Sequence, residues 1–157
     1  EDKYHAAVLH YLQGDYDTAL TELNESLAEG FAESNYYIGE IYRKKKDYEQ
    51  AIFCYENYIA AGDVSLPGVY NQIAVCLNKS GRYEEALGFL EKGLEEGNSD
   101  TRRILLKNEI ITYEYLGEFD KAQNRMEEYL ELYPMDQKAQ KEADFIATRM
   151  LSAASEE

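Results

Sequence analysis

Ile38, Ile41 and Tyr42, followed by Ala51, Ile52, Tyr55 and Ile59, keep the i, i+3, i+4 spacing of one helical face. Val69, Ile73 and Leu77, then Ala86, Leu87, Leu90 and Leu94, repeat the arrangement. A short polar elbow separates the two members of each pair: "KDYEQA" at 46–51 and "GRYEEA" at 81–86, with related segments "GDYDTA" at 14–19 and "GEFDKA" at 117–122. The elbow aromatics, Tyr16, Tyr48, Tyr83 and Phe119, are spaced by 32, 35 and 36 residues, and Ala19, Ala51, Ala86 and Ala122 move in step. Self-similarity at that period marks stacked supersecondary units, each too small to bury its own apolar face.

The pattern predicts four helical hairpins in an all-α chain. Gly14, Gly81 and Gly117 supply positive φ where a first helix stops, whereas Lys46 must take that position without glycine's freedom. The aromatic wedges between the helices and the alanine lets their backbones approach. Gly30, Gly62 and Gly97 end the second helices, Ser34, Ser65 and Asp100 are expected N-caps, and Pro67 suits an early helical position. The fourth unit ends at Pro134, and "DQKAQKEADFIATRML" (136–151) is one more amphipathic helix, suited to cap the terminal repeat. The expected division is a single domain over 1–157, with units at about 1–33, 34–66, 67–100 and 101–134, a capping helix at 135–152 and a frayed tail at 153–157.

These residues carry a resemblance. The 34-residue unit of the tetratricopeptide repeat (TPR) reads W-x₂-L-G-x₂-Y…A-x₃-F…P. Asn35, Ile38, Gly39, Tyr42, Ala51 and Tyr55 fall on it, as do Tyr70, Ile73, Ala74, Leu77, Ala86 and Leu90. Leu106, Glu109, Ile110, Tyr113, Ala122, Met126 and Pro134 form a further copy, and the first copy is weakest, with Ala6, Ala7, His10, Ala19 and Leu23. The chain therefore resembles a TPR protein over residues 3–134. The resemblance implies a right-handed α-α superhelix, a solenoid of antiparallel hairpins that recognises proteins or peptides without catalysis. Glu109 departs from the pattern at an ordinarily apolar position, so either its helix is rotated or the carboxylate finds a basic partner.

Charge changes the picture more than composition does. A formal charge of −15 and a pI near 4.5 exclude bulk attraction to nucleic acid. No apolar run approaches the ~18 residues of a membrane helix, so direct membrane insertion is not expected. The chain opens at Glu1 without a charged-then-apolar leader and without Met, which points to a piece whose upstream signal, anchor or domain was removed. Exported and cytoplasmic locations stay equally open. The acidity is also uneven. The first helices of the hairpins carry Arg43, Lys44, Lys45, Lys46, Lys79, Arg102, Arg103 and Lys107 against Glu40, Glu109 and Glu114, whereas the second helices hold 15 acidic and 3 basic residues. Part of this has a local cause, because "RKKK" at 43–46 closes a helix where the macrodipole favours cations.

Candidate chemistry is sparse. His5 and His10 are the only imidazoles, no glycine-rich phosphate loop, HExxH or CxxC is present, and nothing calls for a metal or cofactor. His10 is expected to pack, and Cys54 and Cys76 to be buried free thiols. No catalytic residue is expected. In TPR proteins the ligand groove is lined by the first helix of each repeat. Positions i, i+4 and i+7 there give Tyr4, Val8, Tyr11; Tyr36, Glu40, Arg43; Asn71, Val75, Asn78; and Lys107, Ile111, Glu114. Asn71 and Asn78 can donate to and accept from an extended backbone, so the expected partner is an acidic or polar extended segment. Chaperone-binding TPR domains clamp a C-terminal carboxylate with Lys, Asn, Asn, Lys and Arg. Here those positions hold Tyr4, Val8, Tyr37, Gly68 and Gln72 in one frame and Tyr36, Glu40, Gln72, Ile104 and Asn108 in the other, so no such clamp is expected. The alternative is a homo-oligomerising or spacer module, in which Val8 and Ile111 pack against another copy.

Overall fold

The structure, a computed structural model, describes residues 2–62 and 68–154. Among the described residues there are nine α-helices and no strand. They are α1 (Asp2–Gln13), α2 (Tyr16–Ala28), α3 (Ser34–Lys44), α4 (Tyr48–Ala60), α5 (Val69–Lys79), α6 (Tyr83–Glu95), α7 (Ser99–Leu116), α8 (Phe119–Leu132) and α9 (Gln137–Ala154). The chain divides into two compact units, residues 1–80 and 81–157.

In the first unit α1 packs on α2 and α3 on α4, with α2 against α3 and α4 against α5. Ala7, Ala19, Leu23, Ile38, Ile41 and Cys54 form the centre of its core, and the rings of Tyr4, Tyr11, Tyr16, Tyr37 and Tyr42 close over it. In the second unit α7 packs on both α6 and α8, and α9 on α8. Leu106, Ile110, Ala122, Met126, Tyr129, Ala139 and Ile146 make up that core. The final helix thus buries its apolar stripe against the preceding hairpin. It begins after Asp136, whose Oδ1 accepts hydrogen bonds from the Lys138 and Ala139 N–H groups at 3.2 Å.

The elbows behave as their sequence requires. Gly14, Gly81 and Gly117 have φ of 85°, 75° and 73°, and Lys46 adopts 62°, alone among the described non-glycine residues. Ala19, Ala51, Ala86 and Ala122 are all fully buried. Asp15 and Asp47, inside the repeated hexapeptide, cap α2 and α4 by accepting from the Thr18 and Gln50 N–H groups at 3.3 Å.

Other caps differ from expectation. Ser34 is the first residue of α3 rather than its N-cap, and its hydroxyl is buried. Asp100 lies within α7, which is capped by Asn98 through the Asp100 and Thr101 N–H groups. Asparagine two positions earlier can reach both orphan donors, and that displaced the start of the helix. Ser65 and Pro67 lie outside the described residues, as does the end of the expected tail, while α9 itself runs to Ala154.

Candidate functional site

On the first unit, the candidate positions of α1 and α3 converge around a residue that the helical grid omitted, Tyr37. Its ring lies 6.0 Å from Tyr4, 5.4 Å from Tyr11 and 5.3 Å from Tyr36, each time edge to face. Tyr4 also stacks on Phe31 at 6.4 Å. All five rings are half-buried, and together they form a cluster of packed aromatic side chains, the tyrosine platform. The pair "YY" at 36–37 was a signal of sorts: neighbouring helical residues point about 100° apart, so the two rings had to leave α3 in different directions.

Glu40 holds the platform in place. It is buried, and accepts hydrogen bonds from Tyr55 at 2.5 Å, Tyr11 at 3.2 Å and Arg43 at 3.2 and 2.7 Å. Burial pushes its carboxyl up, but the bonds from Arg43, Tyr55 and Tyr11 together hold it below the ordinary range. Glu40 and Arg43 therefore neutralise each other (7% and 27% side-chain exposure) rather than standing free in a groove. Lys44 lies 5.9 Å from the Tyr11 ring and 5.8 Å from the Tyr16 ring, within reach of a cation–π contact.

On α5 of the same unit, Asn71 is buried, while Val75 and Asn78 are half-buried. Val8 on α1 is likewise half-buried. Cys54 and Cys76 are buried free thiols, which burial pushes up to about 11 and about 12. His10 bridges α1 to α2 through its Nδ1, 2.7 Å from Glu22 Oε2.

The second unit holds the remaining row, Lys107, Ile111 and Glu114, along α7. Lys107 Nζ is 2.7 Å from Asp136 Oδ2, and the same oxygen accepts from Arg103 at 2.9 Å and Tyr129 at 2.6 Å. The donors Lys107, Tyr129 and Arg103 hold the Asp136 carboxyl far below its ordinary range. Ile111 is exposed. Glu114 lines a cleft of about 160 Å³ with Ile110, Ile111, Met126, Tyr129 and, from α9, Glu142. Burial first, and then Glu142 beside it, pushes the Glu114 carboxyl up to about 7. Glu142 and Asp136 had no place in the sequence grid because both belong to the capping segment.

Glu109 has the basic partner that its sequence position required. It is fully buried, with Arg125 Nη2 donating to Oε1 at 3.0 Å and Arg125 Nε 2.8 Å from Oε2. Among the described residues, no group of three or more His, Cys, Asp or Glu side chains is arranged to hold a metal ion, and no helix is long and apolar enough to cross a membrane.

Tetratricopeptide-repeat family profiles match residues 4–65 and 67–96. No curated protein sequence matches the chain significantly. Among solved structures, YrrB, described as a TPR protein with an unusual peptide-binding site, superposes with a TM-score of 0.78 at 19% identity, over 93% of this chain and 75% of YrrB. MamA superposes with a TM-score of 0.81 at 15% identity, over 94% and 80% of the two chains. A MamA double mutant gives 0.82 at 18% identity, over 96% and 86%. At such identities the likeness is one of fold, an all-α helical repeat. Two family matches, four elbows and these neighbours agree: the chain belongs to the tetratricopeptide-repeat family.

Proposed function

We propose that this protein is a non-catalytic recognition scaffold that receives a polar, extended protein segment on the first-helix face of its repeats. The observation that carries the reading is the tyrosine platform of Tyr4, Tyr11, Tyr36 and Tyr37. Rigid, half-exposed aromatic side chains lose little entropy on binding and offer both apolar area and a hydroxyl, the make-up of interface hot spots. Glu40, on α3, ties that helix to α1 through Tyr11 and to α4 behind it through Tyr55. On the same unit, the half-buried Val8 and Val75 would supply apolar contact, and Asn71 and Asn78 amide chemistry. YrrB, a structural neighbour, is described as having a peptide-binding site.

Of the two expected ligand types, the polar one has more support than the acidic one. Arg43 and Lys107, the cations of the grid, already face Glu40 and Asp136. An anionic ligand would have to compete with both carboxylates. The test is affinity capture from a lysate of the organism that makes the protein, comparing wild type with a Val8→Glu, Val75→Glu variant whose helicity is checked by circular dichroism. A protein held by wild type and released by the variant supports recognition on this face. Equal retention by both moves the interface elsewhere and ends this reading.

A further inference from the structure

Arginines in this chain come with their carboxylates. Arg43 has Glu40, Arg82 has Glu85, Arg102 has Glu128, Arg103 has Asp136 and Arg125 has Glu109. Arg149, on α9, does not follow that rule. It is exposed and has no carboxylate partner among the described residues. Its guanidinium lies 5.3 Å from the Phe145 ring, one turn back on the same helix. A guanidinium resting on an aromatic face is positioned by the ring and keeps its N–H edge for an acceptor.

Phe145 and Arg149 line a cleft of about 410 Å³ in the second unit, next to the one that holds Glu114 and Glu142. Ile111 and Tyr115 of α7 line it as well, and Phe119 of α8 completes its apolar lining. Ile111, Tyr115 and Phe145 are 42%, 58% and 46% exposed, large side chains gathered in one place rather than scattered. Tyr115 is ordered by Tyr83 of α6, which stacks on it at 5.0 Å with the rings 13° apart. Ordered apolar walls and an uncommitted cation therefore meet at one site.

The charges along the cleft favour an anion, against the acidity of the chain as a whole. On α9, Lys138, Glu142, Phe145 and Arg149 recur at i, i+4, i+7 and i+11, so this stripe carries two cations and one carboxyl. On α7, Lys107 is taken up by Asp136, and Glu114 hydrogen-bonds Glu142. Burial and that neighbour push the Glu114 carboxyl up to about 7, so at pH 6 it is neutral and the two cations face Glu142 alone. Met126, Tyr129 and Phe119 of α8 and Tyr83 of α6 add no charge.

We propose that the Arg149 cleft docks an extended segment of a partner protein in which an aspartate or glutamate stands beside large apolar residues. The carboxylate meets the Arg149 guanidinium, and the apolar side chains lie on Ile111, Tyr115 and Phe145. The proposal rests on reading the chain as a recognition scaffold and adds a second site of different chemistry. Arg149 lies outside the helical grid and, unlike Arg43 and Lys107, has no carboxylate of its own to give up.

The probe is an acetylated, amidated Ser-Phe-Glu-Leu-Ser peptide, alongside one with glutamine in place of glutamate and one with alanine in place of both apolar residues. Binding to the full chain at pH 6 is followed by amide chemical shifts. The expected result is binding of the glutamate peptide about fivefold or more tighter than the glutamine peptide. The alanine peptide should bind more weakly, and the shifts should centre on Ile111, Tyr115 and Phe145. Arg149→Gln should abolish the glutamate preference and Arg149→Lys should keep part of it, both with helicity unchanged by circular dichroism. A Val8→Glu, Val75→Glu variant should keep that preference, so failure of the platform reading would be seen separately. Equal binding of glutamate and glutamine peptides, no binding of either, a preference that survives Arg149→Gln, or shifts confined to α1, α3 and α5 would overturn the proposal. So would a concentration-dependent dimer in sedimentation that Phe145→Glu disperses, since a second copy would then fill the cleft.

Discussion

The ring of Tyr55 occupies the space that a side chain on Gly39 would need: a Cβ added there would lie 2.7 Å from Tyr55 Cε1 and 2.8 Å from Cδ1. The ring cannot swing aside. Tyr55 is fully buried, its hydroxyl is fixed on Glu40, and Tyr36 lies 5.9 Å from it. Gly39→Ala gains ~1 kcal/mol of helix propensity and loses more to overpacking, for a net destabilisation of about 1–2 kcal/mol. Gly88 is the control. It is also helical, but a Cβ there meets nothing within 4 Å, so Gly88→Ala should stabilise by ~0.5–1 kcal/mol. Urea denaturation of the two variants checks both signs. A stable Gly39→Ala protein would mean that α3 and α4 are less closely packed than this geometry requires.

Lys46 sits where the other elbows have glycine, at a φ of 62°. A left-handed conformation costs a residue with a Cβ ~1–2 kcal/mol, part of which glycine gives back through its larger unfolded-state entropy. Lys46→Gly is therefore expected to stabilise by about 0.5–1 kcal/mol, read as a higher melting temperature. Lys46→Ala, which removes the same charge and keeps the Cβ, should not gain. Equal gains from both would point to relief of repulsion within "KKK" instead.

Much of this was legible in the sequence, because repetition averages out local ambiguity. One elbow is an ordinary turn; four, with an aromatic and an alanine in phase and a glycine in three of them, specify hairpins. What escaped was whatever depended on a single unit. Asn98 and Asp136 are N-caps whose role is set by the local path of one loop, and Ser34 resembled a cap without being one. At the candidate site, helical spacing placed Tyr4, Tyr11 and Tyr36 on one face but could not show that Tyr37 joins them, because that requires the packing of α1 against α3. Nor could it show that Glu40 and Arg43 would satisfy each other. The partner of Glu114 lies on the capping helix, 28 residues further along the chain, and no repeat pattern reaches it.

Glu109 is a carboxylate at a position that the repeat ordinarily fills with an apolar residue, and Arg125 on α8 is what makes it tolerable. Replacing that arginine by methionine would leave a fully buried carboxylate without its cation. A completely buried pair loses ~3–5 kcal/mol when broken; Arg125 is partly exposed, so Arg125→Met should cost about 1–3 kcal/mol. Adding Glu109→Leu should restore most of the loss, because a leucine there returns the position to its usual character. Urea midpoints of the wild type, the two single variants and the double variant form the cycle that measures the coupling. If the double variant were no more stable than Arg125→Met alone, the arginine would be acting through Glu128, which it also contacts, and not through Glu109.

Glu114 makes stability depend on pH in a direction opposite to that of Glu40 and Asp136. Burial and the neighbouring Glu142 raise it from its ordinary 4.5 to about 7. Between those values the folded protein holds a proton that the unfolded chain has released, so the favourable contribution is complete below about 4.5 and is lost as pH rises through about 7. Glu114→Gln keeps the shape of the protonated group and cannot ionise. Its melting temperature should match wild type near pH 5 and exceed it at pH 8, where wild type holds two adjacent carboxylates. Asp136 behaves the other way. Its carboxyl is depressed by Lys107, Tyr129 and Arg103, so its contribution is present at neutral pH and lost only in acid. Asp136→Asn should accordingly melt below wild type by the same margin at pH 8 and pH 5, the gap closing only once the pH falls below the ordinary carboxyl value of 3.8. Melting curves of both variants at pH 5 and 8 separate the two groups. A Glu114→Gln protein that followed wild type at every pH would mean that the Glu114 carboxyl is hydrated and turned away from Glu142.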